Sequence, residues 1–428
     1  MSGHVPPSNS AWAPRAGYRR HSYSPAHSPA ERPPALDWTP QADRLLRRGT
    51  VALWVLGVLG VIGFLIVLGV IYATAGQELS RLLLPVVLAL VPLHIVLAAV
   101  GWIDRWEPEP LGALAAAFLW GAGVSTVVSL VVNTSTTVLV AQATGSLDGG
   151  SMVSAVVTAP IVEELTKGLG VLILFLLRRR SFNGAVDGLV YAAVIAAGFA
   201  FAENILYFVQ YSDVLLQTFI MRGIASPFAH VIFTACTGIA IGSSARMRSR
   251  LAWAWVTPIG LAGAIVLHAF WNGVLTAAPT LYFLIAVPFF IASVGLVVWL
   301  RWSERMTMRS RLGDYQRAGW FAPAEVTMIT TGSGRAAARR WAKSRGEPSR
   351  RAMRDFLAAS SALAQLRQQA IDGHAEADFA TREQALLRTV VESRRAFAAQ
   401  SPCCSRAVAK WPRPGPAPPE AGDRPEGQ

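Results

Sequence analysis

Residues 151–180 read SMVSAVVTAPIVEELTKGLGVLILFLLRRR. Before the closing arginines, the only charged side chains in this run are Glu163, Glu164 and Lys167. A helix needs about 20 apolar residues to cross a bilayer. Charges in the middle of such a run are tolerated where they face protein or a water-filled cavity. One segment therefore predicts both a membrane fold and a polar centre within it.

Seven further runs are long enough to span: Thr50–Ala75, Leu82–Ile103, Leu111–Ala141, Gly184–Gln210, Gly223–Gly242, Ala252–Thr276 and Leu281–Leu300. The links are short, so neighbouring helices run antiparallel. The expected fold is all-α, a polytopic membrane bundle of about eight transmembrane helices with a cytoplasmic helical tail.

Composition agrees. The 428 residues are 53% apolar and only 15% charged, against about 25% charged in soluble chains. Residues 1–48 hold 7 Lys/Arg and 3 Asp/Glu, residues 49–301 hold 11 and 10, and residues 302–428 hold 21 and 13. The basic excess sits in the ends, which argues against a soluble enzyme and against a nucleic-acid partner. Three cysteines, two of them adjacent in a Pro-rich tail, make neither a disulfide framework nor a metal cluster. The expected organisation is a disordered cytoplasmic arm over 1–48, a transmembrane domain over 49–301, a basic helical tail over 302–400 and a disordered Pro-rich end over 401–428. In the tail, Arg350–Ile371 and Ala377–Ala399 show helical spacing about a break at Asp372–Gly373. Its arginines suit anionic membrane lipids or plain solvent.

Orientation follows from the arginines. With the amino end inside, inner links carry Arg105, Arg178, Arg179, Arg180, Arg246, Arg248 and Arg250, and outer links only Arg81 and Arg222. Seven against two places both termini in the cytoplasm of a plasma-membrane protein.

Ionisable residues recur in the fourth to seventh runs: Glu163, Glu164 and Lys167, then Glu203, then His230, then His268 with Asn272. Counted from the outer ends, Glu163, Glu203, His230 and His268 lie about 7–12 residues deep, roughly 10–18 Å at the helical rise. Helices alternating in direction thus place their polar groups in one layer. Glu163 and Glu164 stand i,i+4 and i,i+3 to Lys167, which can neutralise only one of them well. His94, alone on an apolar face, is expected to be structural.

Peptide hydrolysis needs a base, an oxyanion donor and a proton for the leaving amine. On these residues Glu163 is the preferred base and Glu164 pairs with Lys167. His230 positions water, and His268 with Asn272 holds the oxyanion. The rival reading makes Glu203, His230 and His268 ligands of Zn²⁺, with an open position for water. No His-Glu-x-x-His run is present. A proton-coupled membrane transporter is the main alternative class, since buried Glu/His layers also relay protons; no internal repeat supports it.

Glu163-Glu164-x-x-Lys167, Phe199-x-x-x-Glu203, a following helix with His230, and His268-x-x-x-Asn272 resemble the PrsW family of intramembrane proteases, relatives of the CAAX-prenyl endopeptidases and bacteriocin-immunity-type membrane proteases. Asp104-Arg-Trp-Glu107-Pro-Glu109-Pro and Asp187-Gly188 are similar to the same pattern. The CAAX branch usually has His at the Glu203 position and Arg at the Lys167 position. The resemblance covers about residues 50–300 and implies cleavage of membrane proteins, in Gram-positive relatives single-span anti-sigma factors. Without it, Glu107-Pro-Glu109-Pro reads as a stiff turn and Asp187 as a first-turn acid.

Reporters fused at Ser181 and at Asp148 are expected to lie on opposite sides of the membrane, Ser181 inside. Activity of both fusions on one side would overturn the eight-span topology.

Overall fold

The computed structural model describes residues 40–399, apart from 107, 180 and 376. Most of the predicted arm, the Pro-rich end and both tail cysteines lie outside the described residues, as does Glu107. Among the described residues every regular element is a helix. The order is α1 (Pro40–Thr74), α2 (Ser80–Ile103), α3 (Leu111–Leu119), α4 (Thr126–Thr144), α5 (Leu147–Val153), α6 (Ala159–Leu177), α7 (Ala185–Gln210), α8 (Leu215–Phe219), α9 (Ala229–Ser244), α10 (Ala252–Ala277) and α11 (Tyr282–Arg317). The tail adds α12 (Pro323–Thr330), α13 (Gly332–Ser344), α14 (Glu347–Ile371) and α15 (Phe379–Ala399). This is a polytopic all-α membrane bundle.

Seven helices are long and apolar enough to cross a bilayer: Thr50–Thr74, Ser80–Trp106, Leu111–Thr144, Ala185–Gln210, Ser212–Ser244, Ala252–Val274 and Tyr282–Arg317. The fourth predicted run is also helical, as α6, but it carries three charged residues, more than a plain lipid-facing span would. These are Glu163, Glu164 and Lys167, all buried inside the protein. His94 keeps a local role, its Nδ1 2.7 Å from the Leu90 carbonyl.

Three wide π-helical turns interrupt the spans, at Trp120–Ser125, Ser154–Thr158 and Ile220–Ala225. Such turns shift the register of the helix beyond them and gather at functional sites. The second leads directly into α6, and the third ends shortly before α9.

The centre of the bundle is α7, 83% buried along its span, whereas α11 is 11% buried and forms the rim. Small residues let other helices approach α7 closely, as membrane packing favours. A Cβ on Gly188 would lie 1.9 Å from the Gly238 carbonyl oxygen, and one on Gly238 would lie 2.3 Å from that of Gly188. This reciprocal contact presses α7 against α9 and fixes the spacing between the two helices that carry Glu203 and His230.

A second anchor holds the amino-terminal half of α7. Tyr191 donates to Glu109 Oε2 at 2.6 Å, and Arg178 Nη2 reaches the same oxygen at 3.3 Å. The Glu109 amide donates to the Asp104 carboxylate at 3.0 Å. Burial raises the Glu109 carboxyl above the usual carboxylate range, against the pull of Tyr191 and Arg178. The turn read from sequence as a stiff link is therefore tied into the core. Asp187 accepts from the Asn183 amide at 2.7 Å.

The last span does not stop at Leu300, where the sequence suggests an end. Instead α11 continues to Arg317, because Met308, Leu312 and Tyr315 enter a second apolar core with Ile329, Phe356 and Val390 from the tail. The expected hairpin is present as α14 and α15, with Gly373 at φ +83° between them. Buried Arg335 fastens α13 to the bundle, donating to the Trp106 carbonyl at 3.0 Å.

Gly188→Val is expected to destabilise the protein by about 1–3 kcal/mol or more, since the added carbons meet backbone that cannot retreat. The check is a thermal unfolding midpoint in detergent, which should fall; an unchanged midpoint would contradict the α7–α9 contact.

Candidate active site

Four helices, α4, α7, α9 and α10, and the link carrying Arg222 converge on α6. Its Glu164 is saturated: Lys167 Nζ donates at 2.9 Å, Thr234 Oγ1 donates at 2.8 Å, and His268 Nδ1 lies at 3.1 Å. Glu163 is held more loosely. Lys167 Nζ is 3.3 Å from its Oε2, and Asn133 Nδ2 reaches its Oε1 only at 3.5 Å. The ammonium, fully buried, also lies 3.2 Å from His230 Nδ1 and 3.9 Å from the centre of the Phe199 ring. Lys167 thus serves both carboxylates unequally, favouring Glu164.

Each imidazole is gripped at one nitrogen by a carboxylate. His230 Nε2 is 2.9 Å from Glu203 Oε2, and His268 Nδ1 faces Glu164. A carboxylate accepts hydrogen bonds, so these nitrogens carry the protons. The opposite nitrogens, His230 Nδ1 and His268 Nε2, are left bare of a proton, and each stands 3.9 Å from Glu163 Oε2; His230 Nδ1 also faces the Lys167 ammonium at 3.2 Å. Glu163, His230 and His268 offer three donor atoms within 4.8 Å of one another. The two rings meet edge to face at 5.2 Å, and Phe233 stacks on His268 at 4.7 Å.

Two positions differ from the sequence expectation. Glu203 Oε2 takes Arg222 Nη2 at 2.5 Å as well as His230 Nε2 at 2.9 Å, and the three donor atoms that gather are those of Glu163, His230 and His268. Asn272 is not simply paired with His268: its Nδ2 donates to the Ala155 carbonyl in the π turn before α6, at 2.8 Å. This amide joins α10 to α6 and lines the site rather than offering that proton to a substrate.

Arg222 is the residue that sequence alone passes over, since an arginine at a span edge looks like a topology signal. Here it reaches inward, donating also to Asn204 Oδ1 at 2.9 Å and lying 4.0 Å over the Tyr207 ring. Its π turn supplies that reach. Thr234, one helical turn after His230, is equally silent among many membrane threonines.

The arrangement is a loosely held carboxylate facing two bare imidazole nitrogens, inside a shell of satisfied charges. It can bind a cation, or polarise and deprotonate a water.

Comparison with known sequences gives one consistent result. The family described as PrsW family intramembrane metalloprotease matches residues 109–294. Protease PrsW of Clostridioides difficile (strain 630) is 33% identical over 183 residues, covering 41% of this chain and 75% of that protein. Protease PrsW of Geobacillus kaustophilus (strain HTA426) is 28% identical over 141 residues, covering 33% and 58%. Protease PrsW of Bacillus subtilis (strain 168) is 24% identical over 152 residues, covering 35% and 67%. No solved structure matches. With a buried Glu/His/His cluster inside a membrane bundle and relatives of this kind, the chain belongs to the PrsW family and is an integral membrane peptidase.

Proposed function

We propose that this chain cleaves single-span membrane proteins at the Glu163–His230–His268 centre, with both of its own termini in the cytoplasm of the plasma membrane. The observation carrying the proposal is the pair of bare ring nitrogens facing Glu163, each imidazole steered by a carboxylate behind it.

The residues fit a metal. Two neutral imidazoles and one carboxylate are a familiar donor set for a catalytic zinc, which keeps one position open. Carboxylates behind ligating histidines fix tautomer and ring orientation, as Glu203 and Glu164 do here. Glu163, His230 and His268 would hold the ion; when bound, it supplies Lewis acidity to the scissile carbonyl and acidity to water.

The chain's own groups supply the rest. Arg222 holds Glu203 so that it keeps the proton of His230 Nε2 in place, and Glu164 does the same for His268 Nδ1. Lys167 stabilises negative charge near Glu163. The buried site excludes bulk water, which strengthens each of these contacts.

A second reading has its own support. Lys167 Nζ already lies 3.2–3.3 Å from two of the three donor atoms, so the centre is neutralised by the protein alone. In that case Glu163 takes the proton of the attacking water directly and returns it to the departing amine. Metal analysis separates the two. About one zinc per purified, active chain, with cleavage lost to a chelator and restored by Zn²⁺, is the expected result. Full activity after the metal is stripped would leave Glu163 as the sole base.

Glu163→Gln keeps shape, so folded protein should persist while cleavage of a tagged single-span reporter falls about 10²–10⁴-fold. Glu164→Gln weakens contacts to Lys167, His268 and Thr234 together, so it should instead reduce the amount of folded protein. Near-normal cleavage by Glu163→Gln, with inactive but well-folded Glu164→Gln, would exchange their roles.

A further inference from the structure

Beside the imidazoles lies a cavity of about 110 Å³, lined by His230 and His268 on one side and by Phe233, Trp271 and Tyr282 on another. Its aromatic wall is continuous with the site. Phe233 stacks on His268 at 4.7 Å, Trp271 meets Phe233 at 6.0 Å, and Tyr282 meets Trp271 edge to face at 5.4 Å. A side chain seated against this wall keeps its own backbone beside the two bare ring nitrogens. The geometry points to a specificity subsite: we propose that the cavity receives one aliphatic side chain of the substrate, next to the bond that is cut.

Chemistry and size set the class of side chain. Arg222 also borders the cavity, but its guanidinium is occupied by Glu203, Asn204 and the Tyr207 ring. Asn272 gives an amide proton to Ala155. The Tyr282 hydroxyl and Ser226 also line the cavity but are neutral, so a charged substrate side chain would be desolvated here without a counter-ion, which is strongly unfavourable. An apolar one exchanges lipid for aromatic surface and loses nothing. A space of about 110 Å³ equals the liquid volume of roughly three or four waters. That suits the three or four heavy atoms of Val, Leu, Ile or Met and is too small for an indole or phenol.

Trp271 and Ala200 both line the cavity, from α10 and α7, and neither belongs to the Glu163–His230–His268 cluster. Ala200 lies on α7, three residues before Glu203. Trp271→Ala should enlarge the cavity and Ala200→Leu should fill it.

This inference rests on the peptidase reading, and its test distinguishes the two. The full-length protein, in bilayer vesicles, is given a pool of single-span reporter peptides randomised across the outer half of the span. Product ends are sequenced by mass spectrometry. Wild type should yield ends enriched in Val, Leu, Ile or Met at one position flanking the cut. Trp271→Ala should raise Phe and Tyr at that position at least about 10-fold relative to wild type, and Ala200→Leu should shift the preference to Gly and Ala by a similar factor. Using two variants with opposite expected effects protects the test against one that fails to fold. Cleavage by wild type and by a folded variant with identical profiles would overturn the subsite while leaving the peptidase intact. Absence of any cleavage by wild type would overturn both.

Discussion

The whole site depends on one buried ammonium. Lys167 lies on a helix that crosses lipid, and an unpaired charge there is prohibitively costly. It must be neutralised within hydrogen-bonding distance, and a single turn of α6 provides two carboxylates to do so. They are not equivalent. Glu164 also receives Thr234 and His268, which makes it a structural hub joining α6, α9 and α10. Glu163 is left with a longer contact and a view of two imidazoles. On the proposed reading, reactivity here is the residue of an incomplete neutralisation. A symmetric pair of ion bridges would have given a stable bundle with nothing left to react.

Holding that asymmetry requires helices that cannot drift. In lipid there is no hydrophobic drive to press them together, so close backbone approach and polar ties carry the task. The Gly188–Gly238 crossing and the Glu109–Tyr191–Arg178 cluster fix α7 at one end, while Arg222 grips its other end through Glu203 and Asn204. The same few kinds of contact therefore set stability and site geometry at once.

Much of this was legible in the sequence. Apolar runs gave the spans, and the recurrence of Glu163, Glu203, His230 and His268 at a common depth gave the layer they share. The inequality of Glu163 and Glu164 toward Lys167 followed from i,i+4 against i,i+3 spacing. Other features have no one-dimensional signal. The π turns change which face a side chain takes without changing composition, so the inward reach of Arg222 and the Asn272–Ala155 tie were out of view. Glu203 is engaged by Arg222 and His230, while Glu163, His230 and His268 are the groups whose donor atoms gather. The last helix runs past the predicted end of its span because hydropathy reports where lipid ends, not where a helix ends.

That last helix has a mechanical meaning. From Tyr282 to Arg317 it runs 36 residues without a break, roughly 54 Å at the helical rise. Its far end is clamped in the tail's own core, and its near end supplies the phenol ring that borders the cavity beside the imidazoles. Pro288, the one proline within it, removes a backbone hydrogen bond less than two turns from Tyr282. One continuous helix thus ties the tail's own core to the ring that borders the site, so the two share a single backbone.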